Sequence, residues 1–188
     1  ILKKKNIMFT YHPRTVLSSK QNLDDIRLIL IELANLEDTF IIFTKSNADE
    51  GGRLINHEIE QFVSNKSDSM VCFDSLGRLR YLSALQFVDA VVGNSSSGIV
   101  EAPSFKIGTI NIGDRQKGRT QASSVINAEI TSESIRKAFV NLYSEEYQQQ
   151  LKNTVNPYQG EQASYKIKEV LKSIDISAVI HKHFFDIK

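Results

Sequence analysis

Short runs of apolar, β-branched and aromatic residues recur along the chain at Asn6 to Tyr11, Thr39 to Thr44, Met70 to Phe73, Ala90 to Gly93 and Thr109 to Ile112. Several are nearly continuous rather than alternating. A strand with one face in water alternates apolar and polar residues, whereas a strand covered on both faces reads apolar throughout. This pattern therefore predicts a parallel sheet buried between layers of helices.

The intervening segments supply those helices. Leu23, Ile26, Leu30, Leu33 and Ala34 share one helical face, with Asp24 and Asp25 placed where a helix start favours negative charge. Leu54 or Ile55, with Ile59, Phe62 and Val63, marks a second helix, and Leu76, Leu79, Leu82 and Leu85 a third, with Asp74 as its expected N-cap. A short helix is expected from Ser97 to Pro103, and a later one carries Ile135, Ala138, Phe139 and Leu142. Beyond the Asn156 to Gly160 break, Ile167, Val170, Leu171 and Ile174 form a further stripe. Strands alternating with helices at these spacings predict an α/β fold with an open, doubly wound parallel sheet. Ligands of such sheets lie beyond the carboxyl ends of the strands. The residues to inspect are thus Tyr11 to Thr15, Thr44 to Gly52, Asp74 to Arg80 and Gly93 to Glu101.

Composition narrows the partners. The 188 residues carry 23 basic and 22 acidic side chains, so no general electrostatic pull toward nucleic acid or an anionic membrane is expected. Cys72 is the only cysteine, which excludes an internal disulfide or a cysteine-built zinc site and fits a reducing, cytoplasmic compartment. No apolar stretch approaches the roughly twenty residues of a membrane span. The chain opens Ile1-Leu2-Lys3 and enters a strand almost at once, so it is read as a piece whose amino-terminal part is missing. No GxxxxGK[ST], GxGxxG or HExxH pattern occurs, and no metal or cofactor is expected.

Gly93-Asn94-Ser95-Ser96-Ser97-Gly98, between a strand and a helix, has the makings of an anion cradle. Small residues let backbone amides approach a phosphate, and the serine hydroxyls add donors. A plain capped turn is the alternative. Glu101, just beyond, suits the vicinal hydroxyls of a ribose. Gly113 to Arg119 packs Arg115, Lys117 and Arg119 into a glycine-bounded loop able to clamp a pyrophosphate. His12, presented by the following Pro13 at the end of the first strand, can donate to phosphate or move a proton. Asn47 ends the second strand and can read a nucleotide edge. His57, His181 and His183 are read as structural.

Taken in order, Tyr11-His12-Pro13, Asn47 to Gly52, Ser75 to Leu82, Gly93 to Gly98, Glu101-Ala102-Pro103, Asn111 to Arg119 and Lys172 to Asp175 resemble the hydrolysing UDP-N-acetylglucosamine 2-epimerases, which open sialic acid synthesis. The resemblance implies a two-domain fold of the GT-B type, with this chain as its carboxyl-terminal, Rossmann-like, UDP-binding half. Residues 1–174 would form that domain, and 175–188, with Ile176, Val179, Ile180 and Phe184 at helical spacing, a tail returning to the missing amino-terminal domain. It also implies that Ser95 and Ser96, with the helix opened by Ser97, hold the diphosphate, Glu101 the ribose and Arg115 the phosphates, while His12 and Asn47 face the nucleotide. Homo-oligomerisation of the full-length enzyme is implied as well.

The family eliminates UDP across C1 and C2 and hydrates the glycal, giving N-acetylmannosamine, with its base in the other half. Non-hydrolysing relatives carry His-Arg-Arg-Glu-Asn where this chain reads His12-Pro13-Arg14-Thr15, which favours the hydrolysing branch. Thr120 stands where some relatives place glutamate. A UDP-2,4-diacetamido sugar as substrate, the non-hydrolysing reaction and a silent nucleotide-binding module remain open alternatives.

Overall fold

The computed structural model describes residues 2–46, 51–66, 68–160 and 162–175. The chain divides into two compact units, Ile1–Pro157 and Tyr158–Lys188. The first is built on six parallel strands in the order β3-β2-β1-β4-β5-β6. These are β1 (Lys5–Thr10), β2 (Thr39–Thr44), β3 (Met70–Phe73), β4 (Ala90–Gly93), β5 (Gly108–Ile112) and β6 (Val125–Ala128). The order reverses between β1 and β4, the crevice position at which doubly wound sheets take their ligands.

Both faces of the central strands are covered, which explains their continuous apolar runs. Ile7 and Phe9 of β1 pack with Phe43 of β2 against α1 (Ser19–Ala34), α2 (Gly52–Ser64) and α5 (Ser132–Leu142). Met8 points the other way, into a smaller cluster with Leu85, Val88, Val91 and Ala102 beneath α3 (Gly77–Ala84). All four apolar residues predicted for α5 are buried. Glu32 of α1 is buried too, and accepts two hydrogen bonds from the Arg136 guanidinium of α5, at 2.7 and 3.0 Å.

Several local expectations are corrected. α1 starts at Ser19, one turn ahead of Asp24 and Asp25, because Ser18 and Gln21 form a reciprocal capping box. Asp25 instead pairs with Arg14 at 2.7 Å. Asp74 does not cap α3; it pairs with Lys45, and the Gly77 amide donates to Ser75 Oγ at 3.1 Å. Leu79 is exposed rather than part of a buried stripe. The helix expected from Ser97 to Pro103 is one α-turn, α4 (Ser97–Val100), followed by a 3-10 turn over Ala102–Phe105, where Pro103 cannot continue the α hydrogen bonds.

Strand β6 and helix α6 (Glu145–Lys152) are additional elements. In the second unit, α7 (Ala163–Ser173) carries the predicted Ile167, Val170 and Leu171 stripe. Asn47, the tail from 176 to 188, His181 and His183 lie outside the described residues. Among the described residues, no helix is long and apolar enough to cross a membrane.

Candidate functional site

At the switch point the carboxyl ends of β1 and β4 lie side by side, with Thr10 opposite Gly93. Gly93 has φ +126°, and a Cβ there would stand 2.0 Å from the Thr10 carbonyl oxygen and 2.8 Å from its carbon. Only glycine fits. The next residue, Asn94, is fully buried and extends the pairing with its side chain. The His12 amide donates to Asn94 Oδ1 at 2.7 Å, and Asn94 Nδ2 donates to the His12 carbonyl at 2.8 Å. This exchange sets where His12 leaves one strand and where the serine turn leaves the other.

The turn over Ser95, Ser96 and Ser97 follows. The Gly98 amide donates to the Ser95 carbonyl and the Ile99 amide to the Ser96 carbonyl. The Ser95 and Ser96 amides themselves have no hydrogen-bond partner among the described residues. Gly98 lets this turn lie against β5, where Thr109 Oγ1 donates to its carbonyl at 2.6 Å; a Cβ on Gly98 would approach Thr109 Cγ2 to 2.6 Å.

Ser95, Ser96, Ser97, Glu101 and His12 line one cavity of about 560 Å³ above the carboxyl ends of β1, β2 and β4. Tyr81 of α3 joins them, its hydroxyl 2.6 Å from Ser97 Oγ. Burial pushes the Tyr81 phenol up to about 12, so it is protonated and able to donate at neutral pH. His12 is 6% exposed, with Nδ1 3.3 Å from Ser46 Oγ. Lys45 lines the same space, bridges Glu60 and Asp74, and is held above the usual lysine range chiefly by the Asp74 carboxylate. The residues that line the cavity thus supply hydroxyls and a histidine near one another, with a carboxylate beside them: donors for an anion and an acceptor for a diol.

The basic loop after β5 does not act as a single clamp. Arg115 Nη1 and the buried Gln116 Nε2 both donate to the Asn94 carbonyl, at 3.2 and 2.8 Å. Arg115 is therefore fastened beside the serine turn, exposed, and outside the set that lines the cavity. Lys117 and Arg119 line a different cavity, of about 950 Å³, with Arg14, Asp114, Asn111 and Asn127. Sequence reasoning missed Asn94, Gln116 and Tyr81 as site builders. Asn94 reads as one more small polar residue of a turn; the only signal was an amide side chain directly after a strand of fully apolar character. His57 sits on α2 with its Nε2 3.0 Å from Gln61 Nε2, away from the site residues.

A six-stranded Rossmann-like parallel sheet with this polar crevice is the architecture of one domain of two-domain, GT-B-related structures. The Staphylococcus aureus MnaA structure with UDP superposes with a TM-score of 0.67 at 17% identity, covering 90% of this chain and 44% of that one. At such identity the likeness is one of fold. The family itself is given by sequence: the profile described as UDP-N-acetylglucosamine 2-epimerase matches residues 1–172, and the chain belongs to that family. It is 42% identical over 187 residues to the GDP/UDP-N,N'-diacetylbacillosamine 2-epimerase (hydrolyzing) of Campylobacter jejuni, covering 99% of this chain and 48% of that protein. It is 32% identical over 135 residues to the UDP-N,N'-diacetylbacillosamine 2-epimerase (hydrolyzing) of Legionella pneumophila, covering 70% of this chain and 34% of that protein. The chain spans half or less of the length of these relatives.

Proposed function

We propose that this chain is the carboxyl-terminal, nucleotide-binding lobe of a hydrolysing UDP-sugar 2-epimerase, and that the sugar is a 2,4-diacetamido hexose rather than N-acetylglucosamine. The observation that carries the nucleotide end is the cavity lined by Ser95, Ser96, Ser97, His12 and Glu101, where the Ser95 and Ser96 amides have no hydrogen-bond partner among the described residues. An anion docked there gives half-buried backbone donors a partner, and a ribose diol meets the Glu101 carboxylate. The choice of sugar rests on the two diacetylbacillosamine-named relatives, and the hydrolytic branch on their names and on His12-Pro13-Arg14-Thr15, which departs from the arginine-rich segment of non-hydrolysing epimerases.

In this reading UDP leaves from C1 as the proton is taken from C2, and water then adds to the glycal. The demand on this lobe is the charge that accumulates on departing UDP. The serine turn and Arg115 meet it with fixed donors; His12, oriented through Asn94, supplies or accepts a proton on the diphosphate side. Asn47 is proposed, from the sequence resemblance alone, as a further nucleotide contact. The base at C2 belongs to a second lobe, which together with a UDP-sugar substrate and a second copy of the full-length enzyme makes up the proposed set of partners.

The test is product analysis by NMR on the full-length protein, offered UDP-N,N'-diacetylbacillosamine and UDP-N-acetylglucosamine separately. Free 2-epimerised diacetamido sugar plus UDP, with a clear preference over N-acetylglucosamine, is the expected result. N-Acetylmannosamine formed faster overturns the sugar assignment, and an epimerised UDP-sugar overturns the hydrolytic one. The site is tested separately by calorimetry: replacing Ser95, Ser96 and Arg115 together abolishes measurable UDP binding, and unchanged affinity sinks the cradle.

A further inference from the structure

Arg14 lies two residues after His12, on the other side of the switch point from the serine turn. Its guanidinium pairs with Asp25 of α1 at 2.7 Å and with Asp114 at 3.2 Å. Its backbone is pinned as well: the Arg14 amide donates to Asn22 Oδ1 at 2.8 Å, and Asn22 Nδ2 donates to the Arg14 carbonyl at 3.1 Å. One end of this linkage is therefore tied to the body of the domain. The other end reaches Asp114, the residue adjoining Arg115. The Asp114 carbonyl also accepts from the Lys117 amide at 2.9 Å, closing the turn that carries Arg115 and Gln116. From that turn Arg115 and Gln116 reach the Asn94 carbonyl.

An exposed arginine on a glycine-bounded loop would otherwise sample many positions, and fixing it in advance removes that ordering cost from binding. We propose that Arg14 is a positioning residue, which through Asp114 latches the loop over 113–119 so that Arg115 stands ready beside the serine turn for the diphosphate. The proposal rests on the nucleotide-site reading above and adds to it a residue with no direct ligand contact. A single arginine is suited to the task because its planar fork reaches two carboxylates on different elements at once; a lysine point charge engages them less well.

The experiment is a double-mutant cycle on UDP affinity, measured by calorimetry on the full-length protein with R14Q, R14K, D114N and R115A. Asp114 is largely exposed, so D114N disturbs the latch without disturbing the core. R14Q and D114N should each weaken UDP about three- to fivefold, the scale of one partly exposed ion pair, and R14K should recover part of the loss. In the R115A background both R14Q and D114N should change UDP affinity by less than about twofold, because the group they position is gone. A purely structural role for Arg14 would carry the same loss into both backgrounds, and that result overturns the latch while leaving the nucleotide site standing. Unchanged affinity in R14Q and D114N overturns it equally. R115A binding UDP as tightly as the unmodified protein removes the anion-site reading and the latch together.

Discussion

Asn94→Ala tests whether the switch point is held as described. The substitution deletes a fully buried amide that gives one hydrogen bond to the His12 carbonyl at 2.8 Å and receives one from the His12 amide at 2.7 Å. His12 is itself buried, so water does not readily replace either bond. Losing the partner of a buried donor or acceptor costs about 1–3 kcal/mol per group, so with two groups affected the variant should lose roughly 2–6 kcal/mol of stability. In a chain of this size that is a fall of very roughly 5–15 °C in Tm. The loss should exceed that of an average surface truncation and be accompanied by weaker UDP binding, since His12 and Ser95 both take their positions from this residue. Urea unfolding monitored by circular dichroism gives the first quantity and calorimetry the second. A stability loss under about 0.5 kcal/mol, the level of an unremarkable surface change, would refute the argument that Asn94 stitches β1 to β4.

Other outcomes follow from the same geometry. Gly93→Ala should fail to fold, at a cost of about 4 kcal/mol or more, because its Cβ would stand 2.0 Å from the Thr10 carbonyl oxygen; a soluble variant with native circular dichroism would contradict this. Tyr81→Phe removes only the hydroxyl on Ser97 Oγ, so stability should change by about 1 kcal/mol while UDP affinity falls several-fold; a change in Tm without a change in affinity would separate Tyr81 from the site. Arg136 holds the Glu32 carboxyl below its ordinary value of 4.5, so that pair should stabilise the fold above this pH and lose its effect as pH falls through the depressed value; in Glu32→Gln this part of the acid limb should be missing from pH-dependent unfolding curves. The 188-residue chain alone should bind UDP weakly and release no free sugar from the UDP-sugars, because the base at C2 is assigned to the other lobe; robust turnover would move that base into this chain.

The amino-acid sequence was enough to determine the buried parallel sheet, because strands covered on both faces must be apolar at consecutive positions, and the central strands β1, β4 and β5 show this directly. It was enough for α5, whose predicted apolar stripe is entirely buried, and it put Ser95 to Ser97 and Glu101 together after a strand, where they line one cavity. It did not disclose β6, whose Val125–Ala128 run is short and only half-covered, so burial leaves a weak pattern there. Nor did it place the start of α1, where a local capping box outcompetes the acidic pair one turn later.

Only the tertiary structure decided which polar groups meet. Residues 12 and 94 are joined through an amide, 14 and 114 through a guanidinium, and 81 and 97 through a hydroxyl. Each pairing depends on strand order, which is a property of the folded sheet. The same order divides the basic loop, turning Arg115 toward the serine turn and Lys117 and Arg119 toward another cavity. Hydrophobic periodicity is local and can be read along the chain; hydrogen bonding between distant residues becomes definite only when the core has fixed the distances between them.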